Sequence, residues 1–212
     1  MKLRLTKIAI FLAALIPLER LAWKALHGGL GANPIEVITH STGDWTLRLV
    51  LVTLAVTPLR RLTGQYWLIG IRRMVGLFAF FYGTLHFTTY IWLDKFFDVH
   101  EMAKDIAKRP FITIGFSAFV LMIPLAATST TWSIRRLGGK NWQRLHRLIY
   151  LTGILGVIHY IWLAKADKRK PLEYGAVLFI LLLYRLGAWL YEKRKKLAIF
   201  TPSRRRIEAT KA

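Results

Sequence analysis

The 212-residue sequence has no cysteine, and that absence removes several chemistries at once. Disulfides, thiolate catalysis, cysteine-ligated iron–sulfur clusters and haem thioethers of the CxxCH type are all excluded. Acidic residues are also scarce, 11 against 32 lysines and arginines, which leaves a formal charge of +21. Long stretches carry no charge of either sign. Residues 74–93 and 110–134 contain no Asp, Glu, Lys or Arg, and about 20 such residues suffice for a helix to cross a bilayer. With 54% hydrophobic residues and a mean hydropathy of +0.36, the chain reads as an integral membrane protein.

A charge of +21 would suit nucleic acid or acidic lipid. Its distribution favours lipid and argues against nucleic acid, because the basic residues sit in short connections between apolar runs, where anionic headgroups and the positive-inside effect explain them. The runs predict an all-α bundle of six transmembrane helices forming one domain, at about 7–26, 44–60, 74–93, 111–131, 147–164 and 172–190, followed by a basic tail over 193–212. HGGLGANP after the first run is a breaker string, and Pro58, Pro110 and Pro171 fall near the ends of others. The basic start MKLRLTK and the following apolar run have the look of a signal peptide. Without a small-residue cleavage site they read as an uncleaved first helix. The connections are too short to hold a soluble catalytic or nucleotide-binding domain.

Placing the N-terminus in the cytoplasm puts Lys2, Arg4, Lys7, Arg60, Arg61, Arg72, Arg73, Arg135, Arg136, Lys140, Arg144, Arg147 and the tail cations inside, 20 in all. The opposite connections hold 8, namely Lys95, Lys104, Lys108, Arg109, Lys165, Lys168, Arg169 and Lys170. Both termini are therefore expected in the cytoplasm. The eight tryptophans agree: Trp23, Trp45, Trp92 and Trp162 fall near outer ends, and Trp67, Trp132, Trp142 and Trp189 near inner ends or connections.

Three histidines, His86, His146 and His159, lie in or at the start of apolar runs. Ionisable groups at that depth are costly and mark functional positions. His86 is about seven residues and His159 about five from the outer ends of helices that run the same way, so their imidazoles are expected at similar depth. That arrangement can clamp one haem iron from both axial faces. His146 lies 13 residues before His159, about 20 Å along the axis and on a different ideal face. For each histidine alone, hydrogen bonding across helices is the competing explanation. A zinc site would need further ligands, and the acids Asp94, Asp98, Glu101 and Asp105 lie in an outer layer. His27, His40 and His100 are placed in outer connections or borders. Gly76, Gly83, Gly153 and Gly156 allow close approach of a backbone or a flat macrocycle. Arg72, Arg73 and Arg144, with Arg135, Arg136, Lys140 and Arg147, make an inner cationic surface able to bind haem propionates or a flavin phosphate, or simply to set topology.

The runs GLFAFFYGTLHFTTYIWLD and WQRLHRLIYLTGILGVIHYIWLAK, the HGGLGANPIEVITHSTG connection and the RRLGGKNWQRLHR turn closely resemble the MsrQ (formerly YedZ) family over about residues 8–190. That family is grouped with the ferric reductase-like transmembrane domains, whose relatives include the haem cores of NADPH oxidases. The resemblance implies a b-type haem electron-transfer subunit, with one or two haems and FMN. Its donor would be quinol or a cytoplasmic flavin reductase, and its acceptor MsrP, a periplasmic molybdopterin reductase that repairs methionine sulfoxide. It implies the bacterial inner membrane and, as cofactor ligands, His86, His146 and His159, with sulfoxide chemistry carried out by the partner. The chain departs from the fuller oxidase pattern at Arg72, where a histidine fourteen positions before His86 would complete a second pair. Two readings of other classes are a proton or metal-ion transporter using these histidines and a cofactor-free membrane anchor.

Overall fold

The computed structural model describes residues 2–200, and every regular element in them is helical. The basic residues Arg204, Arg205, Arg206 and Lys211 of the predicted tail lie outside the described residues. In chain order the elements are α1 (Lys2–Leu26), α2 (Pro34–Thr63), α3 (Trp67–Thr88) continuing through a π-helical turn (Thr89–Asp94), α4 (Val99–Lys108), α5 (Pro110–Ala127), α6 (Thr131–Leu137), α7 (Gly139–Leu145), α8 (Leu148–Leu163) and α9 (Arg169–Phe200).

Three helical stretches are long and apolar enough to cross a membrane: Trp67–Asp94, Pro110–Ala127 and Arg169–Leu197. The chain is a multi-pass membrane protein. Helices α1, α2 and α8 occupy the other three predicted segments; α8 has only 16 residues, and α1 and α2 carry more charge, including Glu19, Arg20, Asp44 and Arg48. Large apolar side chains are exposed along α9 (Phe179, Ile180, Leu183) and α1 (Leu5, Ile8, Leu12), as expected of faces turned to lipid tails.

The departure from the sequence reading that matters most for the site is the start of α2, ten residues before the expected 44. Asn33 caps it by accepting from the Glu36 N–H, and Pro34 stands in the first turn, where its missing N–H costs nothing. Helix α9 likewise runs past 190, since its Lys- and Arg-rich end is made of good helix formers. Helices α4, α6 and α7 fill connections that the sequence reading left without structure, and α5 ends at Ala127 rather than 131.

The core joins Leu47, Val50 and Leu54 of α2, Val75, Phe78, Ala79 and Tyr82 of α3, Met122 of α5, Val157 of α8 and Leu178 of α9. Tyr82 is almost wholly buried and its hydroxyl donates to the Ala14 carbonyl at 2.7 Å, tying α1 to the bundle.

Pro58 lies inside α2 and not at its end. It has no N–H for the carbonyl of Leu54, one turn earlier. Arg185 of α9 supplies the missing donor: its Nη2 reaches the Leu54 oxygen at 2.6 Å, and its Nη1 reaches the Tyr150 hydroxyl at 2.9 Å. Arg185→Met should therefore destabilise the detergent-solubilised protein by about 1–3 kcal/mol, the cost of orphaning a buried carbonyl. In a Pro58→Ala background, where the restored backbone N–H can serve that carbonyl, the same change should cost clearly less. Thermal denaturation of the four proteins measures the difference, and equal costs in both backgrounds would refute the pairing.

Beyond α3 the chain turns sharply. Phe96 and Phe97 have φ of 48° and 62°, a left-handed conformation that costs about 1–2 kcal/mol per ordinary residue. Bonds from Lys95 N to Tyr90 O, Phe97 N to Ile91 O and Asp98 N to Lys95 O hold it. Asp98 then caps α4 through the Glu101 N–H.

Candidate functional site

The structure brings His86 and His159 together. Their ring centres are 6.3 Å apart, with the rings inclined at 74°. Each ring is fixed by a backbone carbonyl of another helix. His86 Nδ1 donates to Thr39 O of α2 at 2.9 Å, and His159 Nδ1 donates to Phe111 O of α5 at 2.6 Å. These bonds set the Nδ1–H tautomer and leave Nε2 as the free, lone-pair nitrogen of each imidazole.

The early start of α2 matters here, because Thr39 and Gly43 both lie in the part of the helix that was expected to be loop. Gly43 backs onto His86: a Cβ there would stand 3.0 Å from the ring Cε1 and 3.1 Å from Nδ1. Gly115 of α5 backs onto His159 more tightly, at 2.7 Å from Nδ1 and 2.8 Å from Cε1. Two glycines on two helices thus make room for two imidazoles. Sequence reasoning missed both, together with Thr39 and Phe111; the available signal was a glycine in each helix at histidine depth.

Both rings line one cavity of about 380 Å³. Its walls are largely apolar, from Leu47, Val50, Phe87, Phe119 and Met122, and the end toward α4 is polar, with Thr39, His40, Asp44, Asp94 and Arg109. His40 accordingly belongs to α2 and to this cavity instead of an outer connection. Gly83 and Gly156 line the cavity as well, whereas Gly76 faces Thr53 and Gly153 faces Leu178 on neighbouring helices. Beside the polar end, Arg48 donates to the Tyr174 hydroxyl at 2.7 Å and pairs with Asp44 at 3.5 Å.

His146 is not part of this cavity. It closes α7, 13 residues before His159, and the break at His146–Arg147 separates it from α8. Its ring stacks on Trp142, with centres 3.9 Å apart, and its Nε2 lies 3.0 Å from the Thr128 hydroxyl. Burial, and then the positive charge of Arg72, disfavour its protonation. Arg72 is half-buried and donates to Thr57 Oγ1 at 3.2 Å; it is within electrostatic reach of Arg185. Arg73 and Arg144 are exposed. The inner group is therefore Arg72, Arg185, His146 and Tyr150, with the remaining predicted cations around it.

The donor set favours one kind of metal. Among the described residues no three His, Cys, Asp or Glu side chains gather as an ion cage would require. Two imidazoles on opposite sides of one metal, with metal–nitrogen bonds of about 2 Å, have ring centres about 6 Å apart. The observed 6.3 Å matches that spacing. Iron in a porphyrin brings its other four ligands with it and needs only two from the protein.

Residues 42–157 match the family described as ferric reductase like transmembrane component. A protein from Herminiimonas arsenicoxydans called protein-methionine-sulfoxide reductase heme-binding subunit MsrQ is 57% identical over 197 residues, covering 92% of this chain and 90% of the relative. The protein of the same name from Ralstonia nicotianae is 56% identical over 200 residues, covering 93% and 91%. The chain belongs to the MsrQ family. A third MsrQ, from Bordetella pertussis, is 54% identical over 185 residues, 86% of this chain and 89% of that one. No solved structure matches the chain. The ferric reductase match includes His86 and His146 and ends two residues before His159, whereas the MsrQ relatives cover most of the chain.

Outside the membrane-spanning segments, α4 is held to the outer end of the bundle by ion pairs. Asp105 is buried and forms an ion pair with Lys95, and its other oxygen lies 3.3 Å from Arg109 Nε. The Lys95 bond above all holds the Asp105 carboxyl below its ordinary value, and the same bond raises Lys95. A lowered carboxyl pKa contributes stability above the ordinary carboxylate value of about 4 and loses it as pH falls through the lowered one. A raised lysine contributes below about 10.4 and loses it as pH rises through the raised value. Amide exchange over 99–108, corrected for intrinsic rates, should therefore be slowest between those limits and speed up in acid. Asp105→Asn should lose that acid-side change.

Proposed function

We propose that this chain is the haem-binding, electron-transferring membrane subunit of a protein-methionine-sulfoxide reductase system. The observation that carries the reading is the His86–His159 pair, two carbonyl-anchored imidazoles 6.3 Å apart in one apolar cavity. Kinship at 57% identity with proteins named as heme-binding subunits points the same way.

In this reading His86 and His159 hold a b-type haem, which supplies reversible one-electron chemistry at iron. The protein's own part is to fix both rings, surround the site with apolar side chains and exclude bulk water, which sets the potential. In this reading the chain has six spans with both termini in the cytoplasm, and the site lies in the periplasmic half of the inner membrane, near MsrP, the molybdopterin partner that carries out sulfoxide reduction. The charge asymmetry of the connections supports that orientation. Arg72 and His146, with the exposed Arg73 and Arg144 beside them, serve the donor side, as the site for FMN or a second haem through which quinol or reduced flavin delivers electrons. Its support is the 13-residue separation of His146 from His159, which lie in different helices, a gap that an intermediate carrier would shorten.

The test is to purify the protein in mild detergent, record oxidised and dithionite-reduced spectra, and assay haem and flavin per chain. A reduced low-spin b-type spectrum that is reoxidised by the molybdopterin partner is the expected result. A chain that takes up no haem after reconstitution, yet carries histidine-dependent proton or metal flux in liposomes, would overturn the reading in favour of a transporter.

A further inference from the structure

The cavity between the histidines has a polar end, and one group there is conspicuous. Tyr90 lines the cavity, and its hydroxyl is buried with no hydrogen-bond partner among the described residues. An orphaned hydroxyl in a low-dielectric site costs about 1–3 kcal/mol, so a native structure keeps one where something else completes it. Tyr90 stands in the π-helical turn that follows His86, and such turns often occur at functional sites.

The charged groups around that hydroxyl narrow what completes it. Asp105, Lys95, Asp94 and Arg109 are all within its electrostatic reach. The two carboxylates that line the cavity are already matched: Asp44 pairs with Arg48 at 3.5 Å, and Asp94 with Lys95 at 3.8 Å. Apart from the two paired histidines, the cavity-lining bases are His40 and Arg109, of which only Arg109 is permanently charged. Asp105 engages Arg109 through Nε, while its Nη nitrogens make no hydrogen bond among the described residues. A buried hydroxyl and a guanidinium fork at the rim of an apolar slot suit a flat, apolar ligand that carries carboxylates on one edge.

We propose that Tyr90 and Arg109 form a carboxylate-binding rim that takes the propionates of the macrocycle and fixes its polar edge toward α4. This rests on the haem reading of the preceding section. It adds an orientation: propionates outward, vinyl edge toward Val50 and Met122, which line the apolar part of the cavity. Because Asp105 holds both Arg109 and Lys95, the rim is also tied to the short outer helix.

The experiment follows the transfer of haem from the purified holo-protein to excess apomyoglobin, for the wild type, Tyr90→Phe and Arg109→Gln. Arg109→Gln should lose haem about tenfold faster or more, the scale of one charge-assisted hydrogen bond. Tyr90→Phe should lose it several-fold faster while keeping the low-spin spectrum and, without haem, melting no lower than the wild type, since its hydroxyl bonds nothing in the protein. Loaded with iron protoporphyrin dimethyl ester, whose carboxylates are blocked, all three proteins should release the macrocycle at similar rates. Equal release of ordinary haem by the three, or an acceleration that persists with the ester, would overturn the rim while leaving the haem reading intact. A wild type that binds neither macrocycle would instead remove the haem reading, and the rim with it.

Discussion

His159→Ala should convert the low-spin haem to a high-spin or readily lost form and cut electron delivery to the molybdopterin partner by at least about a hundredfold. Loss of a partner that merely orients a metal ligand costs about 10- to 100-fold, and here the ligand itself goes. His86→Ala should behave alike, because each ring is held the same way, through Nδ1 to a carbonyl on another helix. The double variant should hold no haem at this site. Added imidazole, small enough to occupy the space left by the ring, should restore part of the low-spin spectrum in either single variant. His146→Ala should leave the His86–His159 signal in place, since it lies outside that cavity. Optical and electron paramagnetic resonance spectra of the purified variants read these outcomes. Retention of a full low-spin signal by His159→Ala would refute the pair.

The second large effect requires no change to a histidine. Gly115→Ala should impair haem binding almost as severely, because the new methyl would stand 2.7 Å from His159 Nδ1. The ring cannot simply swing away: it is tied to Phe111 O, in the same helix as Gly115. Relief requires breaking that bond or separating α5 from α8, and overpacking of this kind costs about 1–3 kcal/mol. Haem occupancy at limiting haem should fall by about tenfold, each 1.4 kcal/mol being a factor of ten. Gly43→Ala, with 3.0 Å to His86 Cε1, should show a smaller loss of the same kind. Gly187→Ala in α9, where a Cβ meets nothing within 4 Å, is the neutral control. Equal haem occupancy in Gly115→Ala and Gly187→Ala would rule out the steric argument.

Much of the architecture was legible because the apolar runs are long and the charges are confined to their ends. The depth match of His86 and His159 followed from counting residues to the ends of their runs, and the structure places both rings on one cavity. What could not be read was how deep the second helix reached. Counting apolar residues placed its start at 44, since Glu36, His40 and Asp44 interrupt the hydrophobic pattern; the Asn33–Pro34–Glu36 cap was the better guide to its true beginning. That error hid Thr39 and Gly43, the support for His86 and half of the support for the pair. Gly115 was passed over because a glycine in an apolar run has many possible neighbours, and only the helix pairing selects His159 from them. Pro58 was read as an end signal, as prolines usually are. Its tolerance inside α2 depends on Arg185, more than a hundred residues away, a compensation that no local pattern contains.

The two carbonyl anchors also bear on speed. An electron carrier is fast when its surroundings hardly move as charge arrives and leaves, that is, when its reorganisation energy is small. Thr39 O and Phe111 O are main-chain atoms of α2 and α5, so neither can rotate away as a side-chain carboxylate could. Neither gains or loses a proton. Each imidazole is therefore held in one orientation, which would serve both oxidation states of the proposed haem, by acceptors as rigid as the bundle itself. With the proposed haem in place, such anchors would keep the imidazoles' own share of the reorganisation energy small.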